Sequence, residues 1–242
     1  MDINKLYCVD NVEGMKQLPD DFIDLTVTSP PYDNLRTYKG YVFEYESVIE
    51  ELFRITKEGG VVVWVVGDET KNGSESGTSF RQALYFKEIG FNLHDTMIYE
   101  KNSPAYPSHK QSPRYTQIFE YMFVFSKNKI KTSNLICDKK NKWAGHKDFS
   151  GKLKNPVPDY SPRNNIWRYV TSFGNKYKHP APFPEKLAED HILSWSNQGD
   201  LVFDPFVGSG TTARMAKLLG RNYLGFDISQ EYIDIANNRV SE

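Results

Sequence analysis

Cysteine is nearly absent. Cys8 and Cys137 stand more than half the chain apart with no neighbouring Cys or His, which excludes a disulfide framework and leaves a zinc site unsupported. No metal is therefore expected. Long apolar runs are missing too: no stretch approaches the ~20 residues that span a bilayer. The opening MDINKLYCVDNVEG has no basic segment leading into an apolar one, so a secretory signal is not expected and a cytoplasmic location is. An excess of charge of one sign is the third absence, with 30 Lys and Arg against 31 Asp and Glu. What remains is ordinary globular composition, 39% hydrophobic and 25% charged, which excludes wholesale disorder. A chain of 242 residues suits one α/β domain carrying an appended region.

The near-zero net charge conceals a segregation. Residues 127–178 hold thirteen Lys and Arg against three Asp, so this stretch carries +10 and the remainder −11. A contiguous cationic field of that size is what a phosphate backbone attracts. A solvated Lys-rich loop is the alternative.

Short β-rich runs alternate with helical patterns. LYCV, IDLTVT at 23–28, VVVWVVGD at 61–68, NLHDTMIYEK at 92–101 and IFEYMFVFSK at 118–127 read as strands, with helices near 44–56 and 78–89. After Lys127 the pattern gives way to a polar stretch with Pro and Lys. It resumes with EKLAEDHILSW at 185–195, LVFDP at 201–205, TTARMAKLLG at 211–220, NYLGFD at 222–227 and a final helix from about 229. Such alternation predicts a parallel sheet covered on both faces. The loop between 101 and 118 is too short for a helical crossover, so the strands flanking it are expected to pair antiparallel within a mixed sheet.

LVFDPFVGSGTTARMAKLLG is a buried strand, a glycine-rich turn and a helix, the arrangement in which backbone approaches a cofactor at the carboxyl end of a strand. Gly208 and Gly210 permit the tight turn, and Thr211 or Thr212 can begin the helix. A phosphate-binding P-loop would need Lys where Thr211 stands, and the strict dinucleotide fingerprint has Gly where Ala213 stands, although Ala is sometimes allowed in that place. The next strand ends in Asp227, placed either to accept from a ribose diol or to cap the following helix.

Thr28-Ser29-Pro30-Pro31-Tyr32 follows the strand IDLTV directly. Two prolines remove two backbone donors and stiffen the strand exit. Ser29 Oγ and the Pro30 carbonyl can then accept both protons of an exocyclic NH2 while Tyr32 stacks on the base. A proline-rich strand exit without chemistry is the alternative.

With these motifs in place, almost the whole chain resembles the permuted β group of DNA amino-methyltransferases. TSPPY is similar to the catalytic motif of that group and DPFVGSGTT to its cofactor loop, in the group's order of catalytic motif first. The resemblance implies a Rossmann-like methyltransferase fold with a mixed, mostly parallel sheet. Its parts would be a catalytic part over 1–126, a target-recognition insert over 127–178 containing Trp143 and Trp167, and a cofactor-binding part over 179–242. It implies Ser29, Pro30, Pro31 and Tyr32 as catalytic residues and S-adenosylmethionine as cofactor. The cofactor contacts implied are Asp10, Asp204, Phe206, Gly208, Ser209, Gly210, Thr211 and Asp227, walled by His179 and Phe183 of the segment HPAPFP. The partner implied is double-stranded DNA with its target base flipped out, and no membrane. A companion restriction endonuclease and a homodimer are left open.

Serine at the head of the motif is associated in this group mainly with cytosine N4, and aspartate with adenine N6, so cytosine N4 is the expected target and adenine N6 the alternative. A methyltransferase for RNA or protein glutamine would place the cofactor loop first. A non-catalytic DNA-binding relic is disfavoured because both motifs are intact. Cytosine C5 chemistry needs a nucleophilic Cys, typically after Pro, whereas Cys8 follows Tyr7 and Cys137 follows Ile136.

Overall fold

The Val-rich run after Gly60 forms a central strand of the molecule. A computed structural model describes residues 1–31, 43–104, 108–147, 155–170 and 184–242. In chain order the elements are β1 (Lys5–Cys8), α1 (Asn11–Met15), β2 (Ile23–Thr28), α2 (Tyr45–Ile55), β3 (Thr56–Val66), β4 (Thr70–Lys71), β5 (Ser74–Glu75), α3 (Thr78–Ile89) and β6 (Asn92–Lys101). They continue with β7 (Phe119–Ser126), β8 (Lys139–Lys140), β9 (Tyr160–Ser161), β10 (Ile166–Tyr169), α4 (Glu185–Trp195), β11 (Leu201–Asp204), α5 (Thr211–Leu218), β12 (Asn222–Asp227) and α6 (Gln230–Ser241).

Eight strands form one sheet in the order β1-β12-β11-β2-β3-β7-β6-β10. Only β7 runs against its neighbours, pairing antiparallel with both β3 and β6. The mixed, mostly parallel sheet is thus as expected, including the antiparallel pairing across residues 102–118.

Period-two alternation sends β3 to both faces. Val62, Trp64 and Val66 join one core with Val48, Ile49, Leu52 and Ile55 of α2 and Phe86 of α3. Val61, Val63 and Val65 join the other with Leu187, Ala188 and Ile192 of α4 and Met215 and Ala216 of α5. A third cluster seats α6 through Ile233, Ala236 and Val240 against Leu6 and Val207. Strands buried on both faces are near-continuously apolar, as these are.

This layering fixes where a ligand can enter. The connection from β2 to β3 runs over one face through α2, and that from β11 to β12 over the other through α5. Since β2 and β11 are neighbours, a crevice opens between their carboxyl ends, the topological switch point of an open α/β sheet.

The stretch expected as an insert, 127–178, is joined to the central sheet near its far end. Residues Ile166–Tyr169 form the edge strand β10, parallel to β6, so this part belongs to the central sheet. Trp167 is buried with its ring 4.7 Å from that of His191 and its Nε1 donating to the Asn164 carbonyl. Asp190, buried in α4, accepts from Arg163 Nη1 (2.7 Å) and the Tyr169 hydroxyl (2.8 Å), anchoring the segment to the core. Within the expected insert, residues 139–147 and 155–161 around the β8–β9 ribbon carry mostly exposed side chains, as does the stretch 128–138 that leads into them. No helix among the described residues is long and apolar enough to cross a membrane.

Candidate active site

Five parallel strands end along one edge of the sheet, at Cys8, Asp227, Asp204, Thr28 and Val66. The two motifs found in the sequence meet there. Thr28 Oγ1 donates to Asp204 Oδ1 at 2.6 Å, and Thr212 Oγ1 donates to the Val27 carbonyl at 3.0 Å. The exit of β2 and the glycine turn after β11 are therefore stitched together by two buried hydroxyls. Ser29 sits half-buried at that exit, followed by buried Pro30 and Pro31. Tyr32, His179 and Phe183 lie outside the described residues.

The glycine turn is held from two sides. On one, Gly208 N–H donates to Asp227 Oδ2 at 2.9 Å, while Asp227 Oδ1 accepts from Ser229 N–H at 2.9 Å. Burial pushes the Asp227 carboxyl above the ordinary carboxylate range, partly offset by the N–H groups of Ser229, Gly208 and Ile228. The cap of α6 is Ser229, whose Oγ accepts from Tyr232 N–H, so Asp227 is not that cap. Its oxygens stay at the strand tip, held by backbone donors with lone-pair capacity left for a diol.

On the other side, Arg239 of α6 donates through Nη1 to the Ser209 carbonyl (2.7 Å), Ser209 Oγ (2.8 Å) and Thr211 Oγ1 (3.3 Å). Ser209 and Thr211 are 3% and 4% exposed, so these two expected cofactor contacts turn their side chains toward the helix behind the loop. Gly210 makes this approach possible. It adopts φ +80°, and a Cβ there would lie 2.7 Å from Ala236 Cβ. Gly210 is the N-cap of α5, and Thr211, one of the two threonines expected to begin the helix, is its first residue.

Asp204 is likewise engaged within the fold. Its carboxyl is buried and accepts from Thr28 Oγ1 and from Phe206 N–H (3.0 Å), placing it inside the seam between the motifs. Burial raises its pKa to about 6, against the pull of the Thr28, Phe206 and Thr212 hydrogen bonds.

Phe206 and Asp10 complete the rim. Phe206 is half-buried, with its ring edge-on to Phe43 at 5.4 Å and to Trp64 at 6.3 Å. Asp10 follows β1 and caps α1, Oδ1 accepting from Val12 and Glu13 N–H. Val9 N–H donates to the Asp227 carbonyl at 2.9 Å, which sets Asp10 beside Asp227 at the ends of adjacent strands. Glu185 and Arg239 escaped the sequence reading, in which Thr28 figured only as the head of a motif and Thr212 only as a possible helix start. Arg239 had a signal: it lies three residues after Ala236 and beside Val240, a cation on the apolar stripe of an amphipathic helix.

The half-buried aromatic and the carboxylate at the β12 tip, beside a glycine turn opening α5, form a set that fits a nucleoside carrying a charged tail. The chain matches the DNA methylase family of N6/N4 type over residues 23–238. It is 58% identical over 244 residues to the orphan methyltransferase M.BamHII of Bacillus amyloliquefaciens, across 93% of this chain and 91% of that relative. Among solved structures it is similar to the PvuII DNA methyltransferase (cytosine-N4-specific), with a TM-score of 0.77 and 24% identity over 99% of this chain and 86% of that one. It is likewise similar to M1.HpyAVI in complex with S-adenosylmethionine, with a TM-score of 0.66 and 26% identity over 97% and 98% of the two chains. The chain therefore belongs to the DNA methylase family, as an S-adenosylmethionine-dependent DNA amino-methyltransferase with its catalytic motif ahead of its cofactor loop.

Proposed function

We propose that this enzyme methylates N4 of cytosine in double-stranded DNA, with the target base swung out of the stack into the crevice between β2 and β11. The observation that carries the choice of base is Ser29, a neutral hydroxyl heading the motif at the β2 exit, while the neighbouring carboxylate of Asp204 is sequestered below it. Ser29 Oγ and the Pro30 carbonyl accept the two amino protons, which draws the nitrogen toward tetrahedral geometry and localises its lone pair. Tyr32 stacks on the flipped ring and offsets part of the unstacking cost, a few kcal/mol. Asp227, Asp10, Phe206 and the backbone of Gly208 hold the cofactor, which supplies an electrophilic sulfonium methyl when bound. Positioning of the two reactants supplies most of the acceleration, and the amino nitrogen sheds its extra proton once it is cationic.

Labelled methyl transfer to duplex DNA, followed by chromatography of the released nucleosides, tests the reading. Label in N4-methyldeoxycytidine is expected, and label only in N6-methyldeoxyadenosine overturns the choice of base. Ser29→Ala should lower kcat on the order of 10²-fold or more, the size of effect seen when one preorganised polar group is removed from a reacting centre, with S-adenosylmethionine affinity retained.

A further inference from the structure

A guanidinium buried to 3% exposure is expensive unless it is fully engaged, so the use made of Arg239 asks for a reason. Three of its acceptors belong to the glycine turn: the Ser209 carbonyl, Ser209 Oγ and Thr211 Oγ1. A further one is Glu185 Oε1 at 2.7 Å, which also accepts from Arg214 of α5 at 3.2 Å. One planar fork thus gathers the turn and the heads of α4 and α5 onto the last helix, where Gly210 packs against Ala236 one turn earlier. In the same turn, the Gly208 N–H donates to Asp227.

We infer that Arg239 is a positioning residue for the cofactor: it fixes the glycine turn from behind so that the Gly208 backbone and Asp227 are preset to receive S-adenosylmethionine. The inference rests on the reading of this turn as the cofactor site. The acceptors of Arg239 lie in the glycine turn and at the head of α4, so its effect should fall on the cofactor.

The test is steady-state kinetics and calorimetry on the full chain with S-adenosylmethionine and a duplex substrate. Arg239→Gln should raise the Kd and KM for S-adenosylmethionine on the order of tenfold or more, the worth of one charge-assisted hydrogen bond, and leave kcat at saturating cofactor and the KM for DNA unchanged. Arg239→Lys keeps the ion pair with Glu185 but offers no fork. It should restore Tm while recovering only part of the cofactor affinity. A merely structural Arg239 would move both substrates together and be rescued by Lys in full, and that result overturns the inference. If Arg239→Gln does not fold, Glu185→Gln, which frees one arm of the fork, should still raise the cofactor Kd alone, and an unchanged Kd there counts against the inference equally. Gly208→Val separates the two levels: loss of cofactor binding with Gly208→Val but not with Arg239→Gln sinks the positioning role only, whereas retention in both sinks the site itself.

Discussion

At the scale of single residues, two buried ionisable groups pull stability in opposite directions over the same pH range. His191 is fully buried, with Nδ1 accepting from Trp195 Nε1 at 3.3 Å, and burial lowers its pKa to about 3. The unfolded chain takes up that proton below 6.5, so stability from neutral His191 is lost as pH falls from 6.5 toward 3. Asp204 behaves in reverse. Its folded pKa of about 6 exceeds the unfolded 3.8, so its contribution is present below 3.8 and lost as pH rises through about 6. Each group has a limiting slope of about 1.4 kcal/mol per pH unit, and between 3.8 and about 6 the two slopes oppose each other. Asp204→Asn keeps acceptors for Thr28 and Phe206 but removes the titration, so it should expose the His191 slope. Urea midpoints of the variant should fall more steeply with acidification than those of the unsubstituted protein. Parallel profiles would show that Asp204 does not titrate in this window.

At the scale of elements, the two tryptophans of the cationic stretch separate structure from recognition. Trp167 is buried in β10 with the Arg163 guanidinium 5.1 Å from its ring, whereas Trp143 is 69% exposed and touches His146 edge-on. Trp167→Ala should cost about 3–5 kcal/mol of stability by denaturant titration, the usual range for emptying a large aromatic site. Trp143→Ala should leave stability within about 0.5 kcal/mol and weaken DNA binding, and a large loss of stability there would place it in the core instead. This division was only half legible in the sequence. Long strands such as 61–66 and 119–126 announced themselves because burial on both faces writes continuous apolar runs, and the short polar loop after 101 gave away the antiparallel pair. β10 did not. Its inward Trp167 and Tyr169 alternate with outward Ile166 and Arg168, but four residues preceded by Pro162, Asn164 and Asn165 are too few for the alternation to stand out. α1 was missed for a related reason. It has five residues and contains Gly14, tolerated because a Cβ there would meet the Phe226 ring at 2.8 Å. In the site, the motifs were legible as local patterns. That Asp204, Ser209 and Thr211 turn away from the crevice depends on partners 28 to 176 residues distant, which no local pattern encodes.

Over the whole molecule, the described cations of the 127–178 stretch include two populations that its net count cannot distinguish. Part of the +10 is consumed internally. Lys127 is buried and pairs with Asp21 at 2.8 Å, Arg163 bridges Asp138 and Asp190, and Arg168 pairs with Glu100. These cations hold the segment to the body and are already neutralised. The second population, Lys139, Lys140, Lys142 and Lys147, is exposed on and beside the β8–β9 ribbon, within a few residues of exposed Trp143 and Tyr160. Cations interleaved with exposed aromatics are the composition that meets phosphates and bases, and only unneutralised cations release counterions from DNA. Of these two populations, the slope of log affinity against log salt therefore reports on the second. Replacing all four ribbon lysines with Gln should flatten that slope by about 0.9 for each phosphate that is no longer neutralised, with S-adenosylmethionine affinity unchanged. Lys127→Gln removes the same charge per residue from the same sequence stretch, yet it should lower Tm and leave the slope as it was, because its partner is Asp21. Equal slopes in the quadruple variant and the parent would show that DNA does not touch the ribbon, and would move the recognition surface to another part of the chain.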